Sequence, residues 1–221
     1  APFLHICDLS CLIALPGLGL GRVANFINGE LLGRIAAMPG QPAPWWSVKF
    51  PSELNTSHAP PLGPEQGMEL MRLVDSVRTN NESDAAATDR LIARVEAGSH
   101  DLAQRLEPLL AARHPSQLYQ AACEGLLLAL ILWGLWARPQ KPGVITAAFL
   151  LAYGVLRILV EQYWRLPDPQ LAQQYILGLT RGQWLSVGML AAGALLLALS
   201  LRRPGPRFSW RTEIADPAPQ P

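Results

Sequence analysis

Residues 118–137 read LYQAACEGLLLALILWGLWA, an almost unbroken apolar run with a single carboxylate, Glu124. About 20 mostly apolar residues suffice to cross a bilayer, so this segment is read as a transmembrane helix. Two more follow, at about Gly143–Val160 and Trp184–Leu201. Only Arg138-Pro-Gln-Lys141-Pro separates the first two, which predicts a tight antiparallel hairpin. Amino-terminal to these, Ile6 to about Leu32 is apolar but carries Arg22, Asn25, Asn28 and Glu30. A membrane helix, a broken helix and an interfacial segment are all open for it.

The rest of the composition agrees. Half of the 221 residues are hydrophobic and 16% are charged, against roughly a quarter charged in ordinary soluble domains. A formal charge of +1 supplies no basic field, so nucleic acid is not an expected partner. Cys7, Cys11 and Cys123 lie in or beside apolar segments without metal-ligand spacing, which predicts packed thiols, no metal and no cofactor. The chain opens at Ala1 straight into apolar sequence, with no basic leader region, and sequence upstream of it is expected.

The expected fold is all-α: a polytopic transmembrane helix bundle with an outward-facing helical insert. Four regions are delimited. Residues 1–38 form a membrane or interfacial segment, 39–115 the polar insert, 116–203 a three-helix transmembrane region, and 204–221 a cytoplasmic tail. Within the insert, amphipathic patterns predict helices at roughly Pro64–Thr79, Ser83–Ala97 and Ser99–Arg113. The 138–142 connection holds Arg138 and Lys141, and Arg202, Arg203, Arg207 and Arg211 follow the last span. By the positive-inside rule both ends are cytoplasmic, which places 165–183 and the insert outside.

Three polar clusters stand out. In Gly21-Arg-Val-Ala-Asn-Phe-Ile-Asn-Gly-Glu-Leu-Leu-Gly-Arg34, helical spacing puts Arg22, Asn25, Gly29 and Gly33 on one stripe. An arginine at membrane depth needs an anion, and its planar fork suits a phosphate; an internal Arg22–Glu30 pair is an equally open reading. Tyr153, Arg157 and Glu161 recur at four-residue spacing on one helix face, either as part of a headgroup site or as an Arg157–Glu161 ion pair. Arg113-His-Pro-Ser-Gln-Leu-Tyr119 stands where the insert meets the first long span. There His114 is a candidate base or an interfacial residue beside a helix end that Ser116 caps. Glu124 is expected to pair with one of the arginines.

These clusters resemble a known family. Gly21-Arg22-x-Ala-Asn25-Phe-Ile-Asn28-Gly-Glu30-x-x-Gly33 is similar to the signature of the phosphatidylglycerol–prolipoprotein diacylglyceryl transferases. Arg113-His-Pro-Ser-Gln-Leu-Tyr looks like its second block. Tyr153-Gly-x-x-Arg157-x-x-x-Glu161, with Arg165-x-Pro-Asp168 and Thr180-x-Gly-Gln183-x-Leu-Ser186, looks like its third. The resemblance implies transfer of the diacylglyceryl group of phosphatidylglycerol to the lipobox cysteine of a preprolipoprotein, in a bacterial inner membrane, without a cofactor. It implies catalytic roles for Arg22, Arg157 and Tyr153, and substrate contacts for Arg22, Asn25, Asn28, Glu30, Gly33, Glu161 and His114. Two features depart from the family. None of His5, His58, His100 and His114 is followed by the Gly-Gly of the family's histidine motif, and the 39–115 insert is longer than the usual connection. A truncated, non-catalytic lipid-binding relic is the alternative expectation.

Overall fold

The computed structural model describes residues 3–79, 81–166 and 175–209. They fall into two compact units, one from Ala1–Ala24, Leu118–Tyr163 and Gln173–Pro221, the other from Asn25–Gln117 and Trp164–Ala172. Pro167, Asp168, Arg211 and the tail from residue 210 lie outside the described residues.

Among the described residues, four helices are long and apolar enough to cross a membrane. Helix α1 spans Phe3–Ile27. The second, Ser116–Trp136, is built from α5 (Ser116–Gln120), a π-helical stretch (Ala121–Leu127) and α6 (Leu128–Trp136). Helix α7 covers Val144–Tyr163 and α8 covers Arg181–Arg202. The three expected spans are therefore present, and the segment left open in sequence supplies a fourth. Leu130, Ile131, Leu195 and Leu199 point outward, as they should where lipid is the solvent.

Hydrocarbon gives apolar side chains no reason to prefer each other over lipid, so helices here depend on close backbone approach and on polar contacts. Both occur in the first unit. Gly19 of α1 meets Gly125 of the π-helical stretch so closely that a Cβ built on Gly125 would stand 2.7 Å from the Gly19 Cα. On α7 and α8, Gly154 and Gly193 allow the same intimacy, with Leu190 and Leu150 filling the space. The polar contact is Asp8, a buried carboxylate on α1. It accepts the Gly143 N–H, the Thr146 N–H and the Thr146 hydroxyl, each at 2.7 Å. A neighbouring helix thereby caps α7 at the end where its dipole favours negative charge.

The second unit contains α2 (Pro64–Val77), α3 (Asp84–Glu96) and α4 (His100–Leu106). Their apolar stripes meet around Leu73, Leu91 and Leu106. The last of the three predicted helices is shorter than its pattern suggested. Pro108 cannot continue an α-helix, and the chain tightens into a 3-10 turn at Glu107–Leu109 before the short strand β2, Ala112–Arg113. That strand pairs antiparallel with β1, Ile35–Ala37. A second small ribbon, β3 (Tyr175–Ile176) with β4 (Leu179–Thr180), precedes α8 in the first unit. Surface ion pairs decorate the second unit. One of them, Arg90 with the Thr79 contacts beside it, lowers the Glu82 carboxyl to about 2.

Beneath that surface lies an ion pair of another kind. Arg113 and Glu53 are both fully buried and meet at 2.6 Å. Arg113 Nη1 and Nη2 donate to the carbonyls of Gly33 (3.0 Å) and His58 (2.7 Å), while the second Glu53 oxygen accepts the Ala111 N–H at 2.7 Å. Removing one partner of a buried pair strands the other charge and typically costs about 3–5 kcal/mol. Glu53→Ala should therefore unfold this unit well below the wild-type midpoint in chemical denaturation, while Glu82→Gln should leave the midpoint nearly unchanged. Equal small effects from both substitutions would contradict the assignment.

Candidate functional site

In the first unit the chemistry gathers around Glu124, whose side chain is wholly buried on the π-helical stretch. Such stretches carry one extra residue per turn and are frequent at functional sites. Arg22, on the penultimate turn of α1, approaches Glu124 Oε2 through Nε at 3.2 Å and Nη2 at 3.1 Å. Arg157 of α7 reaches Oε1 of the same carboxylate at 4.0 Å. Gln120 Nε2 also donates to Oε1, at 3.3 Å. Arg157 Nη1 donates to the Tyr153 hydroxyl one turn earlier, at 3.3 Å. Two arginines 135 positions apart in sequence thus share one anionic partner, and both are largely shielded, with side chains 16% and 19% exposed.

Of the two readings open for this helix face, the local Arg157–Glu161 ion pair does not form. Glu161 accepts the Thr180 hydroxyl, and Gly182 leaves room for it: a Cβ there would stand 2.5 Å from Oε2. Thr180 and Gln183 form a reciprocal cap, Gln183 N–H to Thr180 Oγ1 at 3.1 Å and Thr180 N–H to Gln183 Oε1 at 3.0 Å. The Thr180-x-Gly-Gln183 motif therefore opens α8 and receives Glu161 on its first turn.

In the second unit the single-helix stripe of the first signature does not survive. Helix α1 ends at Ile27, Gly29 adopts φ +65° and Leu31 φ +55°, so Gly29 and Gly33 leave the helical face. The chain turns with the Gly29 N–H on the Phe26 carbonyl and the Glu30 N–H on the Asn25 carbonyl, at 3.1 and 2.9 Å. Asn28 Nδ2 donates to Glu30 Oε1 at 3.4 Å, and both residues are exposed. The loop that follows is held from two directions. Gln117 Nε2 donates to the Glu30 carbonyl and the Ser116 hydroxyl to the Leu31 carbonyl, so Ser116 braces this loop instead of capping its own helix. Trp164 and Leu166 exchange backbone hydrogen bonds with Arg34 and Leu32. Gly33 lies between the His114 and Trp164 carbonyls, where a Cβ would collide with the His114 oxygen. The His114 ring packs against Trp46 at a 31° tilt with centroids 4.6 Å apart, and burial holds its imidazole below the ordinary histidine value, favouring the neutral form.

The structure thus brings Arg22, Arg157 and Tyr153 together in one unit. It gathers Asn25, Asn28, Glu30, Gly33 and His114 along one loop and its supports in the other, and it gives Glu161 a helix end. Three groups escaped the sequence reading as contributors to these arrangements. Asp8 was visible as an acid inside an apolar helix, a placement that calls for a partner. Gln117 sat inside a quoted motif. Glu53 gave no signal, because its partner lies 60 residues away in sequence.

Comparison with known proteins follows the same lines. The family model described as prolipoprotein diacylglyceryl transferase matches residues 1–199. A phosphatidylglycerol–prolipoprotein diacylglyceryl transferase of Bdellovibrio bacteriovorus is 37% identical over 91% of this chain and 61% of its own length. Proteins of the same name from Paraburkholderia phymatum and Burkholderia thailandensis are 36% and 34% identical, each over 92% of this chain and 56% and 57% of their own lengths. The chain spans a little under three fifths to about three fifths of the curated relatives it matches. With the family model covering nearly all of it, the chain belongs to the prolipoprotein diacylglyceryl transferase family.

Proposed function

We propose that this protein, as part of its complete chain, transfers the diacylglyceryl group of phosphatidylglycerol to the thiol of a preprolipoprotein's lipobox cysteine. The observation that carries the reading is the convergence of Arg22 and Arg157 on one buried carboxylate inside an apolar bundle. A single arginine there would be satisfied by Glu124 alone. A second one leaves positive charge to spare, and a phosphate brought in with a lipid is the anion whose oxygens match guanidinium forks.

The reaction that membership of the family implies fits that placement. A thiolate sulfur attacks the glyceryl carbon that bears the phosphate, a carbon–sulfur bond forms, and the carbon–oxygen bond breaks. The electron pair leaves on the phosphate oxygen, giving glycerol phosphate. Charge accumulates on that oxygen in the transition state, and preorganised guanidinium groups in a water-poor site are placed to stabilise it. Tyr153 holds Arg157 in position through its hydroxyl. Asn25, Asn28, Glu30 and His114 are read as contacts for headgroup or peptide. Gly33 gives the loop its close approach, and Glu161 fixes the α8 end. The thiol must first lose its proton, because the thiolate is the nucleophile.

Arg157→Lys tests the core of this reading. An ammonium keeps the charge but loses the two-point grip on phosphate. Losing one such contact costs about 3 kcal/mol, on the order of a hundredfold in rate. The assay follows radiolabelled diacylglyceryl transfer to a lipobox peptide in membranes holding the full-length protein. Near-wild-type activity of Arg157→Lys would sink the phosphate role.

The setting is proposed as a bacterial inner membrane, with the 39–115 insert outside and the 138–142 connection and the tail in the cytoplasm, because the short-loop arginines and lysine lie at those ends. Ala97 and Gly205 are both exposed. In a background with Cys7, Cys11 and Cys123 replaced, a cysteine at position 97 should react with an impermeant thiol reagent from the outside. A cysteine at 205 should react only after the membrane is opened. Labelling of both from the same side would refute the orientation.

A further inference from the structure

The cluster around Glu124 has a definite charge. Arg22 and Arg157 contribute two positive charges and Glu124 one negative, while Tyr153 and Gln120 are neutral. Glu161 lies one turn beyond Arg157 on α7, but its carboxylate is engaged by the Thr180 hydroxyl and packed on Gly182 in the first turn of α8. It forms no ion pair with Arg157, and it lies at the amino end of α8, where the helix dipole favours negative charge. The cluster is left with one net positive charge in an apolar surround. Arg22 gives both of its contacts to Oε2, so its third nitrogen still has donors, and Arg157 at 4.0 Å holds Glu124 only loosely.

An anion entering this site meets the Glu124 charge as well as the arginines. A phosphodiester carries one negative charge and balances the cluster. A phosphate monoester carries nearly two at neutral pH and overshoots, in a place where water does not screen the excess. We infer that Glu124 is a specificity-determining residue: acting through Arg22 and Arg157, it tunes the site to a monoanionic phosphodiester and against the dianionic monoester. The inference rests on the headgroup site proposed above and adds a consequence for turnover. Cleavage of the carbon–oxygen bond turns the bound monoanion into a dianion, so the same carboxylate that permits substrate entry repels the product.

The test uses the full-length protein in phosphatidylcholine nanodiscs, titrated by calorimetry at slightly alkaline pH with two soluble probes. These are glycerophosphoglycerol, a monoanion, and glycerol phosphate, a dianion. Wild-type protein should bind the diester more tightly, on the order of tenfold. Glu124→Gln should erase or reverse that preference, and Glu124→Asp should keep it. A purely structural role for Glu124 would weaken both probes alike and leave their ratio unchanged, which would overturn the inference. Equal binding of both probes by the wild type, or tighter binding of the monoester, overturns it without any variant, so the comparison stands even if Glu124→Gln fails to fold. If both probes bind without preference, the headgroup reading stands and only this inference falls. If neither binds, both fall.

Discussion

A guanidinium inside a hydrocarbon layer is tolerated only beside an anion, and in this protein that anion is Glu124. The rest of the first unit is arranged to keep it there. Glu124 is held on the π-helical stretch, and the stretch packs on α1 through Gly125 against Gly19. That contact lies one turn before Arg22, so the close backbone approach and the ion pair reinforce each other. From the other side α7 brings Arg157 to the same carboxylate, with Tyr153 steadying it. Larger residues at either glycine would separate the helices and lengthen the Arg22–Glu124 ion pair.

The second unit solves a different problem. Residues 28–34 follow a helix, bend through two left-handed positions and run on as irregular chain. Irregular backbone needs hydrogen-bond partners from elsewhere. Ser116 and Gln117 supply them for the carbonyls of Leu31 and Glu30, while 164–166 pair with Leu32 and Arg34. The three sequence blocks, far apart along the chain, are in this sense one construction. The second and third brace the loop of the first, and the buried Arg113–Glu53 pair ties the Gly33 carbonyl into it.

How much of this was legible in sequence depended on the range of the interactions. Membrane helices announce themselves by local composition, so three were read at nearly their observed positions and the fourth was at least a candidate. Helical patterns in the insert were likewise local, and only the one crossed by Pro108 was overextended. The spacing argument for Arg22, Asn25, Gly29 and Gly33 failed because it assumed a helix that continues. Helix α1 stops at Ile27, and the later glycines serve turns and close contacts instead. Choice of ion-pair partner was not legible from neighbours on the same helix. Arg157–Glu161 has ideal spacing for a local pair, yet Glu161 turns to Thr180 and Arg157 to Tyr153 on its own helix and Glu124 on another.

The acids of the four apolar helices show why that choice is consistent. There are three among the described residues: Asp8, Glu124 and Glu161. Asp8 caps the amino end of α7, and Glu161 sits on the amino end of α8. Each is met by backbone N–H groups or a capping hydroxyl at a helix end whose dipole favours it. Among the described residues neither is paired with an arginine. Glu124 lies in mid-helix, where no free N–H groups are available, so it alone must take its partners from cationic side chains. Helix ends thus hold two of the three buried acids and leave Arg22 and Arg157 to the third. Moving Glu161, one turn from Arg157 on α7, away from its helix end would change the charge that the arginine pair presents.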